Sequence, residues 1–298
     1  MLLINIRPEK PNACEYLHAT IARAAGECKY LLAYRGVLTA KSLAHLVEQS
    51  ELLQGSVVLC ELNGPEREAA WTLAYEPRRT LPAASMIKLP IAAALAARLD
   101  EGGLRSGDRY AVATENMTAN DAASPLIPGY RAALEELGRL MLTRSDNVAT
   151  NMLIDILGRE AISAYASGLG LRDTVVRRKL SGSVPLIPDP GANGRNAHSA
   201  ADCASLLEQI ALGTVAGSGW LQETLAAQEW NEKLSPGLAP GDRFAHKTGD
   251  TDEVTHDGGI LDTAQGRRYV LVVYTALASS PQNDARLTAF MRALRPHL

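Results

Sequence analysis

The chain has 298 residues, of which 46% are hydrophobic and 21% charged, as in ordinary globular proteins, and it carries a net charge of −3. Because it has no cluster of Lys and Arg of the kind that binds phosphates, nucleic acid is not an expected partner. No apolar run reaches the ~18 residues of a membrane span, so no membrane partner is expected either.

Cysteine usage and the first residues bear on cofactors and compartment. Cys14, Cys28, Cys60 and Cys203 are scattered and form no C-x-x-C pair or Cys/His cluster. This spacing argues against a zinc site or a disulfide framework and favours free buried thiols, so no metal and no cofactor are expected. The apolar start of MLLINIRPEK is too short for the hydrophobic region of a signal peptide, which favours a cytoplasmic location.

The first part of the chain predicts an extra segment, a helix and two strands. Residues 1–36 contain a short predicted strand, LLINI, and a predicted helix, CEYLHATIARAAGECKYLLAY, whose purpose the sequence does not show. A second helix is predicted from Thr39 to Leu53. Two strands, GSVVLCEL and AWTLAYE, then flank a turn at NGPERE.

The middle part is predicted to be helical. Apolar spacing indicates helices in SMIKLPIAAALAARLDEGGL, in GYRAALEELGRLMLTRSDNVATNMLIDILG with a break near Ser145, in SAADCASLLEQIAL and in SGWLQETLAAQEW. Between Arg177 and Asn196, a run rich in Pro, Gly and Ser predicts a loop longer than ordinary connections. Loops of this length are often functional.

The last part returns to strands, RFAHKTG, DGGILD and YVLVVYTAL, and closes with the helix PQNDARLTAFMRAL. Strands at both ends of the chain predict one antiparallel sheet covered by the terminal helices, with the helical block inserted as a second lobe. The expected fold class is therefore α+β, with an α/β lobe of residues 37–82 and 237–298 and an all-α lobe of residues 83–236. A site is expected in the cleft between the lobes.

The stretch AASMIKLP places Ser85 and Lys88 three residues apart before an alanine-rich run. On this stretch alone, Ser85 is best explained as the N-cap of a helix. A catalytic interpretation is open because a serine nucleophile needs an adjacent base, and a lysine one helical turn further on presents its amine to the same face.

Two further triplets favour catalysis. SDN at 145–147 lies at the predicted helix break, and KTG at 247–249 ends the first returning strand. The three motifs, in this order and spacing, resemble the penicillin-recognising serine enzymes, and most closely their class A β-lactamase-like branch. The resemblance covers about residues 40–298 and implies a β-lactamase/transpeptidase-like fold with a five-stranded antiparallel sheet.

The resemblance implies a role for each catalytic residue. Ser85 would be the acylated nucleophile, Lys88 the general base and Ser145 the relay that passes a proton to the leaving nitrogen. Asn147 would hold either Lys88 or a substrate amide. Lys88 can act as a base only if burial or a neighbouring positive charge lowers its pKa, and Lys247 is the expected source of that charge.

The remaining motif residues would bind the substrate. Lys247 and Thr248 would contact a substrate carboxylate, and Gly249 would let the ligand approach the strand closely. The two backbone N–H groups of the oxyanion hole map to Ser85 and Asp250. An aspartate at this second position departs from the family's pattern, and its negative charge predicts weakened binding of ordinary β-lactams.

The loop that follows SDN lacks one catalytic group. Class A β-lactamases carry a glutamate there that activates the deacylating water, but this chain has no glutamate between Glu160 and Glu208. Ser181 stands at the expected spacing, and Asp173 and Asp189 are the nearest carboxylates. Acylation is therefore expected, whereas rapid hydrolysis of the acyl-enzyme is not.

The resulting hypothesis is a serine hydrolase that forms an acyl-enzyme with small-molecule β-lactams or related amides and esters. A D-Ala-peptidase, esterase or acyltransferase of the same fold is the alternative within this class. A non-catalytic module that binds a ligand in the cleft is the alternative from another class. The natural substrate is left open by the sequence, and so is the choice between a monomer and a homodimer.

Overall fold

The computed structural model describes residues 38–62 and 72–298. The elements predicted for residues 1–36 and the turn at NGPERE lie outside these ranges. In chain order the helices and strands are α1 (Ala40–Gln49), β1 (Ser56–Glu61), β2 (Thr72–Tyr75), α2 (Lys88–Asp100), β3 (Arg109–Ala111), β4 (Arg131–Ala133), α3 (Leu134–Thr143), α4 (Asn147–Leu157), α5 (Arg159–Gly168), α6 (Ala200–Leu212), α7 (Ser218–Ala226), β5 (Arg243–Asp250), β6 (Thr255–Asp262), β7 (Arg268–Tyr274) and α8 (Pro281–Leu294).

Five strands form one antiparallel sheet in the order β2-β1-β7-β6-β5. Every residue of β1 is buried, because side chains alternate between two covered faces. Val57 and Leu59 pack in a core shared with α1 and α8, whereas Val58 and Cys60 pack in a core shared with the inserted helices. The predicted α+β fold class with a five-stranded antiparallel sheet is confirmed.

The inserted helices surround α2. Every residue from Lys88 to Ala97 is buried, because α3, α4, α5, α6 and α7 contact α2 from different sides. The small alanine side chains on this helix let neighbouring helices approach closely. Pro90 is its third residue, where the missing N–H leaves no hydrogen bond unmade. The lobe boundaries expected from the sequence stay a prediction.

Two local elements differ from the sequence-based expectation. The start of the predicted helix GYRAALEEL is instead strand β4, which pairs with β3, and α3 begins only at Leu134. Both strands are only three residues long, too short to produce a recognisable alternation. The helix α5 after Gly158 was also not predicted. Gly158, with φ of 84°, ends α4, and the chain enters α5 at the next residue without an intervening loop.

Cys60 and Cys203 are buried thiols, while Cys14 and Cys28 lie outside the described residues. Within residues 38–62 and 72–298, no helix has the length and apolar character needed to cross a lipid bilayer.

Candidate active site

Ser85 lies in a short 3₁₀ helix, Ala84–Ile87, that leads directly into α2. The interpretation of Ser85 as a helix N-cap is wrong, because no side-chain capping bond is formed at the start of either helix. Ala84 precedes it with φ of 46°, an uncommon conformation for a residue with a Cβ, and this bend turns the chain into the helix. The half-buried hydroxyl of Ser85 has no hydrogen-bond partner in the part of the chain that the structure describes, so it is free to react.

Lys88 is the first residue of α2 and is fully buried. Its Nζ lies 2.5 Å from the carbonyl oxygen of Ser145, 3.0 Å from Ser145 Oγ and 2.8 Å from Asn147 Oδ1. Burial is the main reason that the pKa of Lys88 lies well below its ordinary value, and the positive charge of Lys247 lowers it further. Lys88 can therefore exist as a neutral amine at this position.

The SDN triplet joins α3 to α4. Ser145 has φ of 57°, which reverses the chain between the two helices. Asp146 then caps α4 by accepting a hydrogen bond from the backbone N–H of Ala149 at 2.8 Å. With Asp146 fixed as the cap, Ser145 and Asn147 both contact the amine of Lys88.

Lys247 reaches the same serine from strand β5. Its side chain is fully buried, and its Nζ donates to Ser145 Oγ at 2.9 Å and to the carbonyl of Thr248 at 2.8 Å. Burial and then the nearby charge of Lys233 lower the pKa of Lys247 to about 7. The hydroxyl of Ser145 therefore lies between two amines, as a proton relay requires.

Gly249 explains how β5 comes so close to the 3₁₀ helix that carries Ser85. A Cβ at this position would lie 3.1 Å from Met86 Cγ, 3.2 Å from Ala84 Cβ and 3.3 Å from the backbone nitrogen of Met86. A larger residue would force these neighbours to shift by a few tenths of an ångström, so glycine allows the closest approach. The KTG strand and the serine therefore share one wall of the site.

Asp250 ends β5 and does not carry an uncompensated charge. Its carboxylate forms an ion pair with Lys233 and accepts a hydrogen bond from Thr255 Oγ1 at 2.9 Å. Burial alone would raise the pKa of Asp250, but the ammonium of Lys233 outweighs burial, so the pKa lies below its ordinary value. Sequence reasoning missed Lys233, which belongs to no motif and meets Asp250 only through the fold.

Sequence reasoning also missed the segment that follows Met117. The backbone N–H of Asn147 donates to Asn120 Oδ1 at 2.5 Å, and Asn147 Nδ2 donates to the carbonyl of Ala119 at 3.0 Å. Both ends of the Asn147 amide are therefore engaged, with Lys88 on one side and this segment on the other. Asp121, the next residue, is exposed. No local pattern in the sequence marks these contacts.

The loop between Arg177 and Asn196 packs against α4. Asn151 accepts from the N–H of Leu180 at 2.7 Å and donates to its carbonyl at 2.9 Å, which places the neighbouring Ser181 beside the helix. Ser181 Oγ accepts from the N–H of Ile187 at 3.0 Å and so stabilises the loop itself. Hydrogen bonds from its backbone to the side chains of Asn151 and Ser181 therefore stabilise this loop.

The two carboxylates singled out from the sequence near this loop are both engaged elsewhere. Asp189 pairs with Arg159 at 2.8 Å and accepts from the N–H of Lys179 at 2.7 Å, and Asp173 pairs with Arg78. Neither carboxylate is therefore placed as a free base.

Two histidines flank the KTG strand and act as structural donors. His256 stacks on Tyr274 and donates from Nε2 to the carbonyl of Pro82 at 2.8 Å, which ties the segment before Ser85 to β6. Burial lowers the pKa of His256 to about 4. His246 contacts Asp257 through Nδ1 at 2.7 Å, and both side chains are buried. Across the described ranges, no group of three or more His, Cys, Asp or Glu side chains is arranged to hold a metal ion.

The fold agrees with what comparison with known proteins shows. The sequence matches the Beta-lactamase enzyme family over residues 38–294. It is 25% identical over 236 residues to the extended-spectrum β-lactamase PER-1 of Pseudomonas aeruginosa, with 72% of this chain and 74% of that protein covered. It is 24% identical over 275 residues to the β-lactamase regulatory protein BlaB of Streptomyces cacaoi, with 76% and 88% covered.

Solved structures of penicillin-binding and β-lactamase proteins have the same fold as this chain. The structure of PBP-A superposes with a TM-score of 0.72 at 28% identity and covers 86% of this chain and 93% of its own. A mutant of PBP-A, solved as an acyl-enzyme complex with penicillin G, superposes with a TM-score of 0.71 at 27% identity, with 86% and 94% covered. Since the family match spans most of the chain and the fold agrees throughout, the chain belongs to the β-lactamase enzyme family of serine hydrolases.

Proposed function

We propose that Ser85 attacks the carbonyl carbon of an amide, β-lactam or ester and forms an acyl-enzyme. The observation that carries the proposal is the position of Ser145 Oγ, 3.0 Å from the amine of Lys88 and 2.9 Å from that of Lys247. This arrangement joins a base, a relay and a positive charge in one buried network. Lys88 in this network stands three residues after Ser85, whose hydroxyl has no hydrogen-bond partner among the described residues.

Each proton has a defined path in this reaction. Neutral Lys88 takes the hydroxyl proton of Ser85 while the serine oxygen bonds to the carbonyl carbon. The backbone N–H groups of Ser85 and Asp250 stabilise the resulting oxyanion. Lys88 then returns the proton through Ser145 Oγ to the leaving nitrogen or oxygen as its bond to the carbonyl carbon breaks. Asn147 keeps the amine of Lys88 in place.

Lys247 acts mainly on Ser145 in this proposal. Its buried ammonium polarises the hydroxyl of Ser145. Thr248 and Gly249 form the wall along which the substrate lies. The absence of a glutamate between Glu160 and Glu208 supports slow release of the acyl group. The acyl-enzyme then outlives that of an efficient β-lactamase, and a peptidase, esterase or acyltransferase is favoured over that activity.

Intact-mass spectrometry after incubation with penicillin G, and separately with a fluorophosphonate probe, tests the proposal. We expect a single adduct on Ser85 that persists after excess penicillin is removed. Ser85→Ala is the matched control and should show none. Lys88→Met should acylate about 100-fold more slowly or worse, because it loses the general base. A folded wild-type protein that reacts with neither probe would contradict the proposal.

A second candidate is a ligand-binding regulator that does not need catalysis. It is favoured by the similarity to BlaB, which is described as a β-lactamase regulatory protein. Under this alternative, the Ser85→Ala variant still binds the ligand, as measured by calorimetry. It also still supports the cellular response to that ligand. Loss of that response in Ser85→Ala, with the variant folded, excludes it.

A further inference from the structure

The charges around Ser85 indicate the class of acyl donor that this site accepts. Three lysines approach the site, and within the described residues none of them offers a free ammonium to solvent. Lys88 and Lys247 are fully buried and spend their hydrogen bonds on Ser145 and its neighbours. Lys233 is buried and forms an ion pair with Asp250. A substrate carboxylate would thus find no free ammonium on these three lysines.

Asp250 lies two residues after Thr248, which the family resemblance assigns to a substrate carboxylate. Side chains alternate along a strand, so Thr248 and Asp250 lie on the same face of β5. The register confirms this, since Thr248 is opposite Asp257 and Asp250 is opposite Thr255 on β6. The carboxylate of Asp250, bound to Lys233, therefore stands beside the threonine of the KTG motif.

Lys233 does not leave a surplus of positive charge at this position. The hydroxyl of Thr255 lies between two carboxylates, 2.9 Å from Asp250 Oδ1 and 3.3 Å from Asp284 Oδ1. Burial raises the pKa of Asp284, and the charge of Lys233 acts against burial there as well. The ammonium of Lys233 therefore offsets the charges of two carboxylates, those of Asp250 and Asp284. The net charge beside Thr248 is zero or negative.

The segment that contacts Asn147 adds another negative charge. Asp121 follows Asn120, whose side chain accepts from the backbone of Asn147. Its carboxylate is exposed and forms no ion pair or hydrogen bond with the described part of the chain. It is also close enough to attract the charges of both Lys88 and Lys247.

We propose that the acyl donor is an ester or amide that is uncharged or cationic beside its scissile bond and carries no carboxylate there. The inference rests on the proposed acylation of Ser85. Asp250 places a carboxylate on the same face of β5 as Thr248, and Asp121 adds a second negative charge next to Asn120. A carboxylate-bearing β-lactam is then a poor substrate because like charges repel.

Penicillin G and its methyl ester form a matched pair of probes that differ only in the carboxylate. The acylation rate of each is measured as the Ser85 adduct plus released product. We expect the wild-type protein to react at least about tenfold faster with the methyl ester, a conservative value for one repulsion between close like charges. Asp250→Asn should remove most of this preference, because it releases Lys233 to bind the penicillin carboxylate.

Asp121→Asn is the second variant and keeps the test decisive if Asp250→Asn fails to fold. Its side chain is exposed and unpaired, so folding should not suffer, and the preference for the ester should fall. Equal or faster acylation by penicillin G in the wild-type protein overturns the inference, as does an unchanged preference in both folded variants. Failure of both penicillins and of a fluorophosphonate to label Ser85 marks a different result, the failure of the proposed acylation itself.

Discussion

Lys247→Met should change how the stability of the protein depends on pH. Lys247 is fully buried, and burial together with the charge of Lys233 lowers its pKa from 10.5 to about 7. Between those values the unfolded chain binds a proton at this lysine that the folded chain does not bind. The free energy of unfolding therefore rises with pH across this window. The cost of burying Lys247 is greatest below pH 7, where its side chain must be buried in the charged form.

The size of the effect follows from the two pKa values. The gap between 10.5 and about 7 corresponds to about 5 kcal/mol when it is fully expressed, with no discount for solvent because the side chain is 0% exposed. At pH 7 the folded lysine is about half charged, so roughly 2 kcal/mol of this amount should appear between pH 7 and pH 9.

Urea unfolding at pH 7, 8 and 9 measures this contribution. The wild-type free energy of unfolding should rise by about 2 kcal/mol more over this range than that of Lys247→Met. Lys41→Met is the matched control, because Lys41 is exposed on α1, and it should follow the wild-type profile. Parallel profiles for Lys247→Met and the wild-type protein would refute the reasoning, whatever the difference in their absolute stability.

Two further substitutions test how the site is built. Gly249→Val should lower the acylation rate at least about tenfold, because its side chain would push the backbone at Met86 away from β5 and displace the serine. Gly168→Val is its control, since a Cβ there meets nothing within 4 Å, and equal rates for the two variants would contradict the role of the close approach. Asp257→Asn should cost about 1–3 kcal/mol in urea unfolding, because it weakens the buried hydrogen bond with His246. A loss below about 1 kcal/mol would show that this contact does not hold β5 to β6.

Local sequence could predict the site residues that belong to motifs. Lys88 follows Ser85 at the spacing of a helical turn, and the structure places it against Ser145 and Lys247, which two other motifs supply. The same reasoning failed for Ser85 as a helix cap, because the chain enters α2 through a 3₁₀ turn. It also could not find Lys233, which lies in a connection without a pattern and meets Asp250 only when α7 and β5 are in place.

The sequence by itself determined the α+β class and the chain order of the segments that form the strands of the large sheet, because these depend on periodicity, whereas β3, β4 and α5 could not be read from it. Only the tertiary structure decided which charges are free. Asp250 looks like an unpaired anion in the sequence, yet it is bound to Lys233. Asp121 belongs to no motif and forms no ion pair or hydrogen bond with the residues that the structure describes. The physical reason is that electrostatic energy depends on distance and burial in space, and neither can be read from positions far apart along the chain.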